Sequence, residues 1–568
     1  MSKCALTARV WHGCFLAAVL CLVAMASAQP AAPTSTAPQA DGQSQAPEGS
    51  KKRGASHITP EQARQLFALV DELLKFSSQE TGLPIRSDVK REIISRDFVE
   101  SYLKEKFAED ESAKRMQRGE IVLKKFGLLD RNFTLAPFML QLLKEQIEAY
   151  YDFKTKTIFM LDWVDIEEQR PVLAHELTHA LQDQHSDLAK WNSQTPDDVS
   201  LNSTDDTDHL ARDEMDTARE AVVEGQATAV MMDYVLKPMG KSLVKDPELM
   251  DALKDQMSGS NDSPIMARAP LLLSESLLFP YREGLSFEQD VWMDQGQAAA
   301  FTGTLDRPPT SSWEIINPLE YEKKHVPSIP LLPNIHPLVD GLYKPYDIGQ
   351  VGQLDLHILA GTLGGDEAAA NLTPAWDGGL YWAGQQLSAK TPAERASTKS
   401  IAFFYLSIWK NEASARAFVQ LYAANLGRKY SDLSSGPVSG DGGKSDRSSG
   451  FKVFPPPPQS SEESADSDDP ALSGERVYST DEGPVVITRR GKMVFVAESF
   501  PLDLARKLTA LILDAQGTGP IRLAQAGQPG EMMLPTEKLE PLTGSLVRFL
   551  SSCGVMKSAV EAVVNAGR

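Results

Sequence analysis

Apolar residues recur at helical spacing in the stretch that follows Pro171. They are Leu173, Leu177, Ala180, Leu181 and Leu188. This spacing predicts an amphipathic helix with one core-facing stripe. Pro171 suits the first turn of such a helix, and Glu167 and Glu168 just before it suit the positive end of the helix dipole.

A second helical stripe runs over about residues 211–236. Its apolar positions are Met215, Ala218, Val222, Gly225, Ala229, Met232 and Leu236. Helices are also predicted over residues 91–107 and 139–147, and Pro60 directly after Thr59 is typical of a helix start. Residues 149–161 lie just before the first stripe and predict a β-hairpin or an edge strand.

From about residue 346 the pattern changes to short apolar strands that alternate with helices. The predicted helices cover residues 348–363, 413–426 and 502–515, and the predicted strands cover residues 380–387, 401–409, 485–488 and 493–498. This order predicts a small α+β domain, in which helices cover one face of an antiparallel sheet. Residues 431–475 are polar and include four consecutive prolines, so they predict a disordered insertion.

The first 56 residues carry signals for export rather than for folding. Residues 1–28 combine Lys3 and Arg9, a short apolar run and an Ala-Ser-Ala end, and this predicts a secretory signal peptide. Residues 29–56 are mostly Ala, Pro, Ser, Gln and Gly, and they predict a disordered linker. We therefore expect a periplasmic or extracellular protein without a membrane span after signal removal.

The net charge limits the classes of binding partner, and the cysteine count limits disulfide formation. The formal net charge is −20, and losing Lys3 and Arg9 with the signal would bring it to −22. Such acidity disfavours nucleic acid and anionic membranes as partners. Of the four cysteines, only Cys553 would remain, so no intrachain disulfide is predicted and Cys553 is expected to be a small buried hydrophobe.

The first helical stripe carries the motif His-Glu-Leu-Thr-His at residues 175–179. On a helix, His175 and His179 lie on one face, about 5–6 Å apart at Cβ. Both imidazoles can therefore reach one zinc ion. Glu176 lies about 100° around the helix, where it can take a proton from a water beside the metal.

A catalytic zinc needs a third protein ligand, and two residues compete for this place. His185 has the spacing of a third histidine, but that geometry needs a helix-breaking glycine where Gln182 stands. We therefore favour Glu224 on the second stripe. Gly225 beside it would let this helix approach the first one closely, and Glu220, one turn earlier, is the next possibility or a supporting acid.

Residues 147–235 resemble the active-site region of the zincin metallopeptidases, specifically the gluzincin, thermolysin-like branch. The His-Glu-x-x-His motif and a downstream Glu-Gly-x-Ala at residues 224–227 carry the resemblance. It implies one zinc ion per chain held by His175, His179 and Glu224, with Glu176 as the base. It also implies a peptide or protein substrate aligned along residues 149–161. The motif with its Ala-Leu-Gln-Asp-Gln continuation is similar to that of a group of exported bacterial proteins.

Together these patterns predict an α+β protein with a zincin-like catalytic domain, residues 57–345, built around a two-helix metal site. A smaller antiparallel-sheet domain, residues 346–568, would follow. The expected function is zinc-dependent peptide hydrolysis. The alternatives are a non-catalytic zinc-binding envelope protein of the same fold and a binding protein that acts through its C-terminal domain. The candidates for a donor to the developing oxyanion are Tyr234, Tyr281, His325 and His336.

Overall fold

The computed structural model describes most of the chain between residues 58 and 516. The described ranges are residues 58–109, 111–147, 149–191, 202–244, 249–250, 254, 264–435 and 474–516. The predicted signal peptide, the linker, Cys553 and most of the predicted insertion lie outside them. All described residues belong to one compact unit, and the predicted boundary at residue 346 stays a prediction.

The chain begins with helices around a small sheet. The helices are α1 Pro60–Thr81, α2 Arg96–Glu109, α3 Glu111–Phe126 and α4 Leu135–Gln146, and the strands are β1 Lys90–Ile94, β2 Tyr150–Asp152 and β3 Thr157–Leu161. The predicted helix start at Thr59 is confirmed, because its side chain accepts a hydrogen bond from Gln62 N.

The predicted hairpin over residues 149–161 is confirmed as β2 and β3, but β3 is not an edge strand. It pairs antiparallel with β2 on one side and parallel with β1 on the other. Residues 157–159 therefore have a strand on each side, and the edge strand within residues 149–161 is β2. The helix predicted over residues 91–107 was wrong at its start, since residues 90–94 form β1 by pairing with a strand more than sixty positions later.

Three long helices build the centre of the molecule, with two shorter ones between them. They are α5 Ile166–Ser186, α6 Leu188–Trp191, α7 Ser203–Arg212, α8 Met215–Leu236 and α9 Leu271–Gln295. Helix α5 begins five residues before Pro171, because the side chain of Asp165 caps it by accepting from Glu167 N at 2.9 Å. The second predicted helix begins at Met215 rather than near residue 211, and residues 203–212 form a separate helix.

Shorter elements and the C-terminal helices complete the list. They are α10 Thr304–Asp306, α11 Ser312–Ile316, α12 Pro318–Glu322, α13 His336–Val339, α14 Gln353–Leu372, α15 Pro392–Arg395, α16 Glu412–Ala424, α17 Leu426–Lys429 and α18 Leu502–Ala515. A π-helix covers Ala299–Gly303, and 3₁₀ turns cover Lys237–Met239, Met266–Arg268, Thr373–Ala375 and Thr398–Ser400.

The second sheet has seven strands, all antiparallel, in the order β4-β5-β6-β10-β9-β8-β7. The strands are β4 Tyr343–Gln350, β5 Trp376–Gln386, β6 Ile401–Trp409, β7 Leu433–Ser435, β8 Gly474–Thr480, β9 Gly483–Arg490 and β10 Met493–Glu498. The predicted α+β class with an antiparallel sheet is thus confirmed. The helix predicted from residue 348 was wrong at its start, where β4 ends, and both ends of the predicted insertion are strand.

Helices cover both faces of this sheet, which corrects the one-face prediction. On one face, Phe404 and Leu406 of β6 pack in one core with Leu508 of α18. On the other, Phe403 and Tyr405 belong to a core with residues of α16. The apolar run of residues 401–406 in β6 is typical of a strand buried on both sides. Within the described part of the chain, no helix combines the length and apolarity that a membrane span requires.

Candidate metal centre

Helices α5 and α8 bring three donor side chains to one point. His175 and His179 lie one turn apart on α5, with ring centroids 4.7 Å apart. The Glu224 Oε2 atom on α8 lies 3.0 Å from His175 Nε2 and 3.5 Å from His179 Nε2. The three donor atoms all lie within 4.8 Å of one another, so this group can hold a metal ion.

The group is almost closed to solvent. His175 is 0% exposed and Glu224 is 3% exposed, whereas the His179 side chain keeps 12% exposure. Solvent therefore reaches the three donors mainly from the side of His179. Such burial strengthens the interaction of the site with any charge inside it, because little water remains to screen that charge.

Burial and mutual charge set the protonation of the three residues. Burial lowers the pKa of His175 to about 4 despite the hydrogen bond with Glu224. For His179 burial also acts to lower the pKa, but the carboxylates of Glu224 and Glu176 outweigh it and raise the pKa to about 9. Burial acts to raise the pKa of Glu224, but the two histidines outweigh it and lower the pKa to about 2. The glutamate is therefore an anion at neutral pH, as a metal ligand must be.

Glu176 lies beside this group and outside it. It is 1% exposed, and its charge contributes to the raised pKa values of His179 and Tyr281. Among the described residues, the cluster with metal-ligand spacing comprises the two histidines and Glu224. Glu176 is thus buried close to the donors and is not a member of their cluster.

Gly225 permits a close helix contact, but with a different helix from the one predicted. A Cβ atom at Gly225 would overlap with the backbone of Gly284 on α9, and a Cβ at Gly284 would overlap with the carbonyl of Ala221 on α8. The two glycines therefore let α8 and α9 cross at backbone contact. The helix that α8 approaches this closely is α9, whereas the prediction had it approach α5.

The close crossing places Tyr281 beside the donors, because Tyr281 lies one turn before Gly284 on α9. Its ring stacks on the His175 ring with a centroid distance of 6.0 Å. Burial raises the pKa of Tyr281 well above its usual value, and the carboxylates of Glu224, Glu176 and Glu220 add to this effect. The hydroxyl is buried, and because its pKa is raised it keeps its proton and can donate a hydrogen bond.

The other oxyanion candidates lie elsewhere. Tyr234 is ten residues after Glu224 on α8, about 15 Å along the helix axis, and packs against Phe76. His325 has a 62% exposed side chain and pairs with Glu320.

The hydrogen-bond partners of His336 are Asp206 and Asp340, at 3.1 and 3.0 Å, and neither belongs to the donor group. The rival third ligand, His185, pairs with Asp306 at 3.0 Å and is outside the donor group. Glu220 is buried near Tyr281 and is likewise outside that group.

Two glutamines support the group in a way that the sequence did not indicate. Gln182 lies 2.9 Å from His179 Nδ1, and Gln226 lies 2.9 Å from Gln182. Both are completely buried. The only available signal was their spacing, since Gln182 follows His179 by three positions and Gln226 follows Glu224 by two. Helix geometry alone does not show that the two side chains meet.

Comparison of the chain with protein-family models, with curated proteins and with solved structures finds no match in any of the three. The functional interpretation therefore rests on the geometry of the site. It supplies a buried site with two imidazoles and a carboxylate, a second carboxylate beside them, and a protonated tyrosine hydroxyl.

Proposed function

We propose that this protein is an exported, zinc-dependent hydrolase that cleaves peptide bonds. The convergence of His175, His179 and Glu224 on one point, with Glu176 beside them, is the observation that carries the proposal. Two histidines, one carboxylate ligand and a neighbouring glutamate are the parts that metal-assisted hydrolysis uses. The features of residues 1–28 support export.

The donor atoms fit zinc in type and in spacing. Zinc accepts imidazole nitrogen and carboxylate oxygen, and tetrahedral ligands at 2.0–2.1 Å from the ion are about 3.3 Å apart. The distances from Glu224 Oε2 to the two Nε2 atoms, 3.0 and 3.5 Å, lie on either side of this value. Three protein ligands would leave one position open for water or substrate.

When bound, the metal would supply Lewis acidity, which makes a water more acidic and polarises the substrate carbonyl. Glu176 would accept a proton from the attacking water and pass it to the leaving amine. The Tyr281 hydroxyl stays protonated because its pKa is raised, so it can donate a hydrogen bond to the substrate oxygen as negative charge develops there.

The burial of the site favours a second candidate, a non-catalytic zinc-binding envelope protein of the same fold. His175, Glu176 and Glu224 are 0%, 1% and 3% exposed. A catalytic zinc needs an open position that a substrate can reach, whereas a structural zinc is enclosed. The two candidates make different predictions for the Glu176→Gln variant.

Glu176→Gln removes the proton acceptor and keeps nearly the same size. We expect the variant to fold and to bind about one zinc ion per chain, the same amount that we expect for the wild type. Its peptide hydrolysis should fall by about 10²–10⁴-fold, as is typical for loss of a general base. The measurement is cleavage of a mixed peptide library, followed by mass spectrometry at matched zinc occupancy.

His175→Ala serves as the control for the metal itself and should lose most of the zinc. If neither the wild type nor Glu176→Gln cleaves any peptide while both hold zinc, the non-catalytic candidate becomes the better account. Equal cleavage by both would remove Glu176 from the mechanism. Full zinc retention in His175→Ala would show that the metal is bound elsewhere.

A further inference from the structure

The amide of Gln226 has one possible orientation in its surroundings. Its Nε2 lies 2.9 Å from the carbonyl oxygens of Ala300 and Phe301 and 2.8 Å from the hydroxyl of Thr304. Carbonyl oxygens only accept hydrogen bonds, so the NH₂ end of the amide must face them. The Oε1 atom of Gln226 then faces the opposite way and accepts from Gln182 Nε2 at 2.9 Å.

This orientation is passed on to Gln182. Its Nε2 lies 2.9 Å from the Gln226 Oε1 and 2.9 Å from the carbonyl oxygen of Val223, so both of its amide hydrogens are used. Gln182 Oε1 is left facing His179 Nδ1 at 2.9 Å. An amide oxygen can only accept, and therefore His179 Nδ1 must carry a hydrogen.

A neutral histidine carries one ring hydrogen, so placing it on Nδ1 leaves the lone pair on Nε2. The Nε2 of His179 is the atom that faces Glu224. His175 has no comparable support, because its Nδ1 is buried and accepts or donates no hydrogen bond. Among the described residues, a hydrogen bond from outside the group therefore orients His179 and not His175.

The π-helix Ala299–Gly303 makes the acceptors of Gln226 available. The Thr304 N–H donates to the carbonyl of Ala299, five positions earlier, and not to that of Ala300 as an α-helix would require. The Ala300 carbonyl is thereby released from the backbone bond to Thr304 and accepts from Gln226 and from the Thr304 hydroxyl. The wide turn and the glutamine are thus two parts of one arrangement.

We infer that Gln182 and Gln226 form a relay from the π-helix to His179, which fixes the ring orientation and the metal-binding tautomer of that histidine. Both are positioning residues, and Gln226 acts through Gln182. The inference rests on the proposed zinc site and deepens it, since it identifies the residues that orient one ligand and hold its Nδ1 proton when metal takes the place of the Nε2 proton.

Gln182→Met keeps the side-chain length and removes the acceptor for His179. We expect it to weaken zinc binding by about 10–100-fold, the usual effect of losing the partner that orients a ligand. Gln226→Met should weaken zinc binding in the same direction and by less. The double variant should bind zinc no more weakly than Gln182→Met alone, because Gln226 has no separate route to the metal site. Dissociation constants from competition with a chelator measure all three.

Gln184→Met is the matched control, since Gln184 lies on the same helix and bonds to the backbone of residues 86 and 87. It should leave zinc binding unchanged. A second readout is the Nδ1–H proton resonance of His179 in the zinc-loaded protein, which should be protected from solvent exchange in the wild type and lost in Gln182→Met.

Additive losses in the double variant, or a retained Nδ1–H resonance in Gln182→Met, would overturn the relay and leave the two glutamines as packing residues. Wild-type zinc affinity in Gln182→Met would do the same. If the wild type itself binds no zinc, the proposed function fails instead. Unfolding temperatures measured in the presence of chelator show whether each variant folds. If Gln182→Met does not fold, the zinc affinity of Gln226→Met tests the relay.

Discussion

At the scale of single residues, the position of each side chain in the fold determines which residue can be the third metal ligand. Glu224 and His185 both carry suitable donor atoms, but only the Glu224 carboxylate lies within bonding distance of both histidines. His185 is turned toward Asp306, as expected for a helix that continues past Gln182 without a glycine break. The unbroken helix carries His185 away from the metal face.

The two residues give a direct comparison. Glu224→Ala should weaken zinc binding by more than the roughly 10–100-fold that losing an orienting partner costs, because a ligand is removed. His185→Ala should leave the zinc dissociation constant unchanged. Chelator competition on both variants at the same pH provides the measurement, and the reverse order of affinities would make His185 the third ligand.

At the scale of helices, the crossing of α8 and α9 is the contact that brings Tyr281 to the donor group. The glycines at residues 225 and 284 let the two backbones touch. This contact brings Tyr281 on α9 over the ring of His175. A helix interior normally disfavours glycine by about 0.5–1 kcal/mol relative to alanine, and here the close packing offsets that cost.

Gly284→Ala should therefore separate α8 from α9, because the added Cβ would overlap with the carbonyl of Ala221. Overpacking of this kind typically costs about 1–3 kcal/mol. The matched control is Gly119→Ala, at a helical glycine of α3 where an added Cβ meets no described atom within 4 Å beyond its own helix backbone. It should be neutral or stabilising by up to about 1 kcal/mol. Denaturant unfolding of both variants tests this, and equal effects of the two would contradict the role of the crossing.

At the scale of the whole molecule, buried acids join the start of α8 to helix α11 and to the seven-stranded sheet. Glu214 accepts from the hydroxyl of Ser312 at 2.9 Å, and Asp213 accepts from the backbone of Gln350 at the end of β4. Burial, with a contribution from the charge of Asp355, raises the pKa of Glu214 to about 8. Burial likewise raises the pKa of Asp347 to about 7.

These raised pKa values predict that stability falls on the alkaline side. A carboxyl whose pKa is higher in the folded state binds a proton there that the unfolded chain has already released. For Glu214 the contribution is full below pH 4.5 and is lost as pH rises toward 8, with a slope of at most about 1.4 kcal/mol per pH unit.

Glu214→Gln keeps a neutral side chain of the same size at all pH values. Its free energy of unfolding should therefore decline less steeply than that of the wild type between pH 5 and pH 8. Urea unfolding at several pH values gives both slopes. Parallel slopes would mean that Glu214 is already ionised in the folded protein at neutral pH.

Local pattern was enough to predict several parts of this molecule. The i, i+4 spacing of His175 and His179 places both on one face of any helix, whatever surrounds it. The helical stripe around Glu224 follows from the period of 3.6 residues, and β6 and β10 follow from short continuous apolar runs. These features depend on neighbours close in the chain, and the sequence therefore determines them by itself.

Only the tertiary structure decided which distant elements meet. It placed Tyr281 at the donor group and excluded Tyr234, His325 and His336, and it made Gly225 a contact of α9 instead of α5. It also paired β1 with β3, covered both faces of the large sheet, and joined Gln226 to the π-helix. Each of these depends on packing between segments tens to hundreds of residues apart, where close packing selects one arrangement among many that local periodicity allows equally.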